Sequence, residues 1–185
     1  MTVAGGSAAL DAHLDALVLD VADFPQPGVV FKDITPLLAD HAGFSAVVAA
    51  LAGAGRDADG AVLVDKVVGM EARGFMFAAP VALALGAGFV PVRKPGKLPR
   101  PTHARSYELE YGQSTLELHQ DGIRPGERVL IVDDVLATGG TVGATRALVE
   151  ACGGTVSAAA VLLELSFLGG RQAVGDVPLH VLRTL

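Results

Sequence analysis

Residues 128–141, RVLIVDDVLATGGT, hold the densest chemistry in the chain. An apolar run stops at adjacent acids, Asp133 and Asp134, and Ala137, Thr138, Gly139, Gly140 and Thr141 follow as a small, hydroxyl-bearing turn. Glycines let the backbone turn tightly and come close to a ligand. Successive amide N–H groups opening the next helix form an anion nest, and Thr138 and Thr141 add hydroxyl donors. This favours a phosphate. The loop lacks the lysine of GxxxxGK[ST], which argues against a nucleoside-triphosphate loop. It also lacks GxGxxG, which argues against a dinucleotide fold. Carboxylates accept hydrogen bonds from neighbouring hydroxyls. A ribose 5-phosphate, with a vicinal diol at one end and a phosphate at the other, therefore fits: Asp133 and Asp134 take the diol, and Ala137 to Thr141 take the phosphate. One aspartate at a strand end is commonly a helix cap. That reading does not explain two acids followed by Thr-Gly-Gly-Thr.

A second concentration is cationic. From Ala72 to Tyr107 there is no acidic residue, and the stretch holds Arg73, Arg93, Lys94, Lys97, Arg100 and Arg105. In a chain of formal charge −6 this local positive region suits a polyanion, although a basic loop is more often simply solvated. Arg73 stands where a helix should begin, a place the helix dipole disfavours for a cation. The histidines are scattered, and none pairs at metal-ligand spacing.

These residues need a scaffold. A helix is expected over Ala8 to Val21, capped by Ser7, with Leu10, Leu14, Leu17 and Val21 on one face. The prolines and glycine of DFPQPGVVFKDITPLL forbid a continuous helix or central strand there, and Pro36 can open a short helical turn. A helix over Gly43 to Gly53 and a strand strongest at Val67 to Met70 follow. The uncharged stretch from Gly74 to Val92 is long enough to cross a bilayer. Its Pro80, Gly86, Gly88 and Pro91 instead indicate a buried helix, a glycine turn and a buried strand. KPGKLPRPTHAR reads as a loop, and SYELEY with STLELHQ as a β-hairpin. RVLIVD is a strand buried on both faces. TVGATRALVEAC reads as a helix ending at Gly153 and Gly154, TVSAAAVLLEL as a strand, and PLHVLRTL as the last strand. Alternating strands and helices with continuous apolar strands indicate an α/β fold with a mostly parallel central sheet flanked by helices.

The 185 residues suit one domain, 1–185. Apolar residues are 51% and aromatics 5%, the profile of a soluble α/β protein packed with small side chains. The acidic balance disfavours non-specific nucleic-acid or membrane binding. A single cysteine, Cys152, excludes an internal disulfide and fits a reducing compartment. The start, MTVAGGSAALDAHLDAL, has no basic region and carries acids early, so no secretion signal is expected and a cytoplasmic location is.

The acid pair and its glycine loop resemble the phosphoribosyl pyrophosphate site of the type I phosphoribosyltransferases. FPQPGVVFKDITPLL, GMEARGFMFAAP, VRKPGKLP and YELEYG, in that order, are similar to segments of the adenine phosphoribosyltransferases. The likeness runs through nearly all of the chain after Asp23. It implies conversion of adenine and phosphoribosyl pyrophosphate to AMP and pyrophosphate, with magnesium carried mainly on the substrate oxygens, in a homodimer. It implies that Glu71, Ala72, Arg73, Arg93, Lys94 and Lys97 bind pyrophosphate, with a cis peptide at Glu71–Ala72. It implies that Val30, Phe31 and Lys32 line an adenine pocket in an N-terminal helix and hood over residues 1–36, although by residue type alone Val30 and Phe31 read as core. It further implies that residues 98–120 form a mobile catalytic loop and hairpin. There Glu110 would assist proton movement at adenine, and Tyr111 would close the site against water. Glu108 and Glu110 alternate equally on a hairpin, and only the resemblance selects Glu110. A phosphoribosyltransferase for another purine base, or a regulator sensing phosphoribosyl pyrophosphate, would share the ribose-phosphate motif.

Overall fold

The structure, a computed structural model, describes residues 8–108 and 113–185. In chain order the elements are α1 (Ala8–Leu17), β1 (Leu19–Ala22), β2 (Val30–Asp33), α2 (Thr35–Ala39), α3 (His41–Gly53), β3 (Lys66–Met70), α4 (Arg73–Leu85) and β4 (Gly88–Val92). They continue with β5 (Thr102–Glu108), β6 (Gln113–His119), β7 (Arg128–Leu136), α5 (Gly140–Ala151), β8 (Thr155–Glu164), a 3-10 turn at Ser166–Leu168, α6 (Arg171–Val174) and β9 (Leu179–Thr184).

The central sheet has the order β4-β3-β7-β8-β9, with every neighbouring pair parallel. Successive strand residues point to opposite faces, so the sheet feeds two cores. Val67, Leu130, Val132, Ala158 and Ala160 join Leu14, Leu37, Leu51, Phe77 and Val81 from α1 to α4. Val68, Ile131, Ala159 and Val161 join Leu116 and Leu118 of β6 and Leu148 and Val149 of α5. Helices on one face, and α5 with the β5–β6 hairpin on the other, bury both sides of the sheet. That is why its strands read as unbroken apolar runs.

The stretch from Gly74 to Val92 folds as the sequence indicates: α4, a left-handed turn at Gly86 (φ 65°), then β4. Among the described residues no helix is long and apolar enough to cross a membrane.

Three of the differences from expectation bear on the site's surroundings. The first helix ends at Leu17 and not Val21. Residues 19–22 pair antiparallel with β2, Leu19 opposite Asp33 and Ala22 opposite Val30. Helical periodicity placed Val21 on the core face, yet it stands exposed in this ribbon. The partner strand lies a loop away, so local pattern could not reveal it. Ser7, expected as the cap, lies outside the described residues. Secondly, THAR belongs to β5, whose pairing runs from Thr102 opposite His119 to Glu108 opposite Gln113. Its polar, largely exposed side chains hid it. Thirdly, β7 does not stop at Asp133 but runs through both acids to Leu136.

Candidate functional site

The site forms where β7 outlasts its neighbour. β3 pairs with β7 only from Lys66–Val129 to Gly69–Val132. β3 then leaves the sheet through a cis peptide at Glu71–Ala72 and enters α4 at Arg73. Asp133 and Asp134 continue past the last residue paired with β3 while still alongside β8, toward the carboxyl end of the parallel strands, where such sheets bind ligands. A cavity of about 380 Å³ opens there, lined by Glu71, Ala72, Arg73, Lys94, Tyr107, Leu116, Asp133, Asp134, Val135 and Thr141.

Both aspartates are buried, 8% and 5% exposed. Burial, then the charge of Asp134, pushes the Asp133 carboxyl well above the ordinary carboxylate range. Desolvation and the neighbouring charge thus favour the neutral form of Asp133. Its Oδ1 accepts from the Asp134 N–H at 3.0 Å. The α4 backbone approaches so closely that a Cβ on Gly74 would lie 2.7 Å from Asp133 Oδ1. Only glycine fits there.

Asp134 is held from across the cavity. Arg73 Nε donates to Asp134 Oδ2, and the Arg73 guanidinium lies 5.6 Å from the Phe31 ring centroid, within cation–π range. One arginine so touches the acid pair and the strand β2. Phe31 also packs edge-on against Phe24 at 5.2 Å. Val30, a core residue by type, is instead 54% exposed. Lys32 turns away: its Nζ pairs with Asp20 Oδ1 at 2.5 Å, and it does not line this cavity.

The opposite wall is organised by Glu71. Its Oε2 accepts from the Lys94 N–H at 2.9 Å and from Arg93 Nε at 3.2 Å. The Lys94 amide above all, with Arg93 beside it, holds this carboxyl below its ordinary value. Arg93 Nη1 also donates to the Lys97 carbonyl at 3.4 Å, fixing the turn that carries Lys94 and Lys97. Lys94 lines the cavity. Arg93 and Lys97 stand behind it and do not. Arg100, in the same basic stretch, is committed to Asp121.

The glycine loop joins β7 to α5. Gly139 caps α5 with φ 81°, a left-handed conformation that costs glycine nothing. Thr141 reaches the cavity, and its Oγ1 donates to Tyr107 Oη at 3.4 Å. Ala137, Thr138, Gly139 and Gly140 complete the loop without appearing among the cavity's lining side chains. Sequence reasoning missed Tyr107, Leu116 and Val135. The first two come from the hairpin, and their period-2 alternation marks the inward face of each strand without saying what it covers. Glu110 and Tyr111 lie outside the described residues. Among the described residues no group of three or more His, Cys, Asp or Glu could hold a metal ion.

The family described as phosphoribosyl transferase domain matches residues 37–172. An adenine phosphoribosyltransferase of Nocardioides sp. is 65% identical over 185 residues, the whole of both chains. Adenine phosphoribosyltransferase of Thermoanaerobacter pseudethanolicus superposes with a TM-score of 0.88 at 46% identity, over 95% of this chain and 99% of that one. The Saccharomyces cerevisiae enzyme, solved with adenine and an imino-altritol bisphosphate, does so with a TM-score of 0.90 at 37% identity, over 96% and 100%. On that evidence this chain belongs to the phosphoribosyltransferase family, among its adenine phosphoribosyltransferases.

Proposed function

We propose that the chain transfers the 5-phosphoribosyl group from phosphoribosyl pyrophosphate to adenine, giving AMP and pyrophosphate. The observation that carries this reading is the cavity itself. It sets a buried acid pair and Thr141 of the glycine loop on one wall against Arg73 and Lys94 on the other.

Breaking the bond from the anomeric carbon to pyrophosphate builds positive charge on the ribose and negative charge on the leaving group, as glycosyl chemistry generally does. Asp133 and Asp134 grip the ribose hydroxyls. Amides of Ala137 to Thr141 hold the 5-phosphate. Arg73 is the pivot. With hydroxyls on Asp134, its guanidinium is free to turn to the pyrophosphate, joining Lys94 and the Ala72 backbone. Arg93 and Lys97 support that wall, and Glu71 fixes the turn that presents them. Phe31, beside Arg73, stacks on adenine, and the exposed main chain at Val30 reads its edge. Lys32 acts outside contact with the base, as its pairing with Asp20 supports. Glu110 assists proton movement at the attacking ring nitrogen, and Tyr111 closes the site.

Magnesium fits this arrangement as a passenger of the substrate. It is a hard ion that keeps several waters and takes one or two carboxylates besides phosphate oxygens, and Asp133 and Asp134 offer such oxygens at the cavity. Bound there it would neutralise charge on the leaving pyrophosphate. The single-domain organisation, the hood over residues 1–36, the mobile hairpin over 98–120, the homodimer and the cytoplasmic setting belong to the same proposal. Sedimentation of the purified chain tests the dimer. The deciding experiment mixes the chain with adenine, phosphoribosyl pyrophosphate and magnesium. AMP should form, with hypoxanthine and guanine poor substitutes. No AMP, or a preference for a 6-oxopurine, contradicts the proposal.

A further inference from the structure

The phosphate loop has a backing that the sequence motif does not include. A Cβ added to Gly170 would lie 2.2 Å from the Ala137 carbonyl oxygen and 3.1 Å from Gly139 N. From the other side, a Cβ on Gly139 would lie 2.4 Å from the Gly170 carbonyl oxygen and 2.7 Å from Ala173 Cβ. Two glycines thus press backbone against backbone, one in the loop and one at the start of α6. No side chain fits between them.

Gly170 is itself held at both ends. Upstream, Leu165 N–H donates to the Leu136 carbonyl at 2.9 Å, and Ser166 N–H to the Leu185 carbonyl at 3.0 Å. Downstream, Arg171 places Nε and Nη2 on Glu164 Oε1 and Oε2, both at 2.6 Å. Glu164 is 2% exposed and ends β8 opposite Leu136. Thr184 Oγ1 adds a bond to its Oε2 at 3.2 Å. A two-pronged arginine–carboxylate bond fixes direction as well as distance. Nothing in the reaction outlined above employs this pair.

Resting on the proposed function, we infer that Gly170 is the positioning residue of the 5-phosphate loop and that the Glu164–Arg171 fork sets its place. The amides of residues 137–141 point at the phosphate only while the Ala137 carbonyl seats against Gly170. Moving that carbonyl rotates the Ala137–Thr138 peptide and takes an N–H off the phosphate. The effect falls first on the phosphate, because the displaced peptide lies after the acid pair in the chain and the base pocket lies on β2.

The test compares inhibition by AMP with inhibition by adenosine, which lacks the phosphate. In Gly170→Ala, AMP should lose about tenfold, the worth of one charge-assisted hydrogen bond, with adenosine and the KM for adenine unchanged. Gly169→Ala is the control. Gly169 has a left-handed backbone (φ 67°), unlike Gly170 (φ −59°), and nothing lies within 4 Å of its Cβ position. It should lower the melting temperature and leave the AMP-to-adenosine ratio as in wild type. If Gly170→Ala fails to fold, Arg171→Lys, which keeps the charge and loses the fork, is read on the same ratio. A selective AMP loss supports the inference. Unchanged AMP inhibition, or equal loss of AMP and adenosine, overturns it. Wild type that neither binds AMP nor makes it would overturn the proposed function instead, before any variant is measured.

Discussion

Glu71, just past the end of β3, and Asp133, within the adjacent β7, are carboxyls facing one cavity, yet their surroundings push them in opposite directions. Glu71 receives the Lys94 amide and the Arg93 guanidinium, which favour its charged form. Asp133 is desolvated beside a second acid, which favours its neutral form. The difference separates two jobs. On the β3–α4 wall the carboxylate is already satisfied, so it organises cations and leaves Lys94 facing the cavity. On the β7–α5 wall the acids still lack hydroxyl partners, and Asp134 meanwhile borrows Arg73. One wall is finished before substrate arrives. The other is completed by it.

The largest effect expected of this division is in Asp133→Asn/Asp134→Asn. Replacing two carboxyls that bond the ribose hydroxyls, at about 1–3 kcal/mol each, should weaken phosphoribosyl pyrophosphate binding by at least about 30-fold, with adenine binding retained. Calorimetry that finds adenine lost and phosphoribosyl pyrophosphate kept would reassign the walls. Next comes Glu110→Gln, with kcat down by about 100-fold and substrate affinity little changed. Turnover equal to wild type removes Glu110 from the chemistry. Arg73→Ala should act on the leaving group alone, raising the inhibition constant of pyrophosphate by about tenfold or more, while AMP binds as well as before or better because Asp134 is released. Weaker AMP binding would mean that Arg73 serves the ribose wall.

The smallest effect concerns stability. Because the folded-state value of Asp133 is raised, the native protein keeps a proton that the unfolded chain has released above the ordinary aspartate value of 3.8. Its contribution to stability therefore falls as pH climbs from 3.8 through the folded value. Asp133→Asn removes that penalty, and the melting temperature at pH 7 should rise by a few degrees, 1 kcal/mol being about 2–4 °C at this size. The gain should shrink as pH approaches 4. Glu71 has the opposite sign: its contribution is present above its ordinary 4.5 and is lost as pH falls through its lowered value. A melting temperature for Asp133→Asn below wild type at pH 7 would contradict the assignment.

The candidate ribose-phosphate wall was legible in the sequence because all its parts lie within residues 128–141, and strand, acids and glycines each carry a local pattern. The parallel sheet was legible for the same reason: continuous apolar runs have one common explanation. What escaped depends on partners distant in sequence. The β1 ribbon needs β2, and the strand at THAR needs β6. Tyr107 needs Thr141, and Gly170 looks like an ordinary turn glycine until Ala137 is seen against it. Alternation along β2 turns neighbouring side chains to opposite sides: Phe31 faces Arg73 and Lys32 pairs with Asp20, a division that residue type does not reveal.

The most direct measurement is the crystal structure of the chain soaked with AMP. The account predicts ribose hydroxyls on Asp133 and Asp134, the phosphate on the amides of residues 137–141, and Arg73 turned away from Asp134. A nucleotide seated elsewhere, or one bound with the Arg73–Asp134 pair still closed, would contradict it.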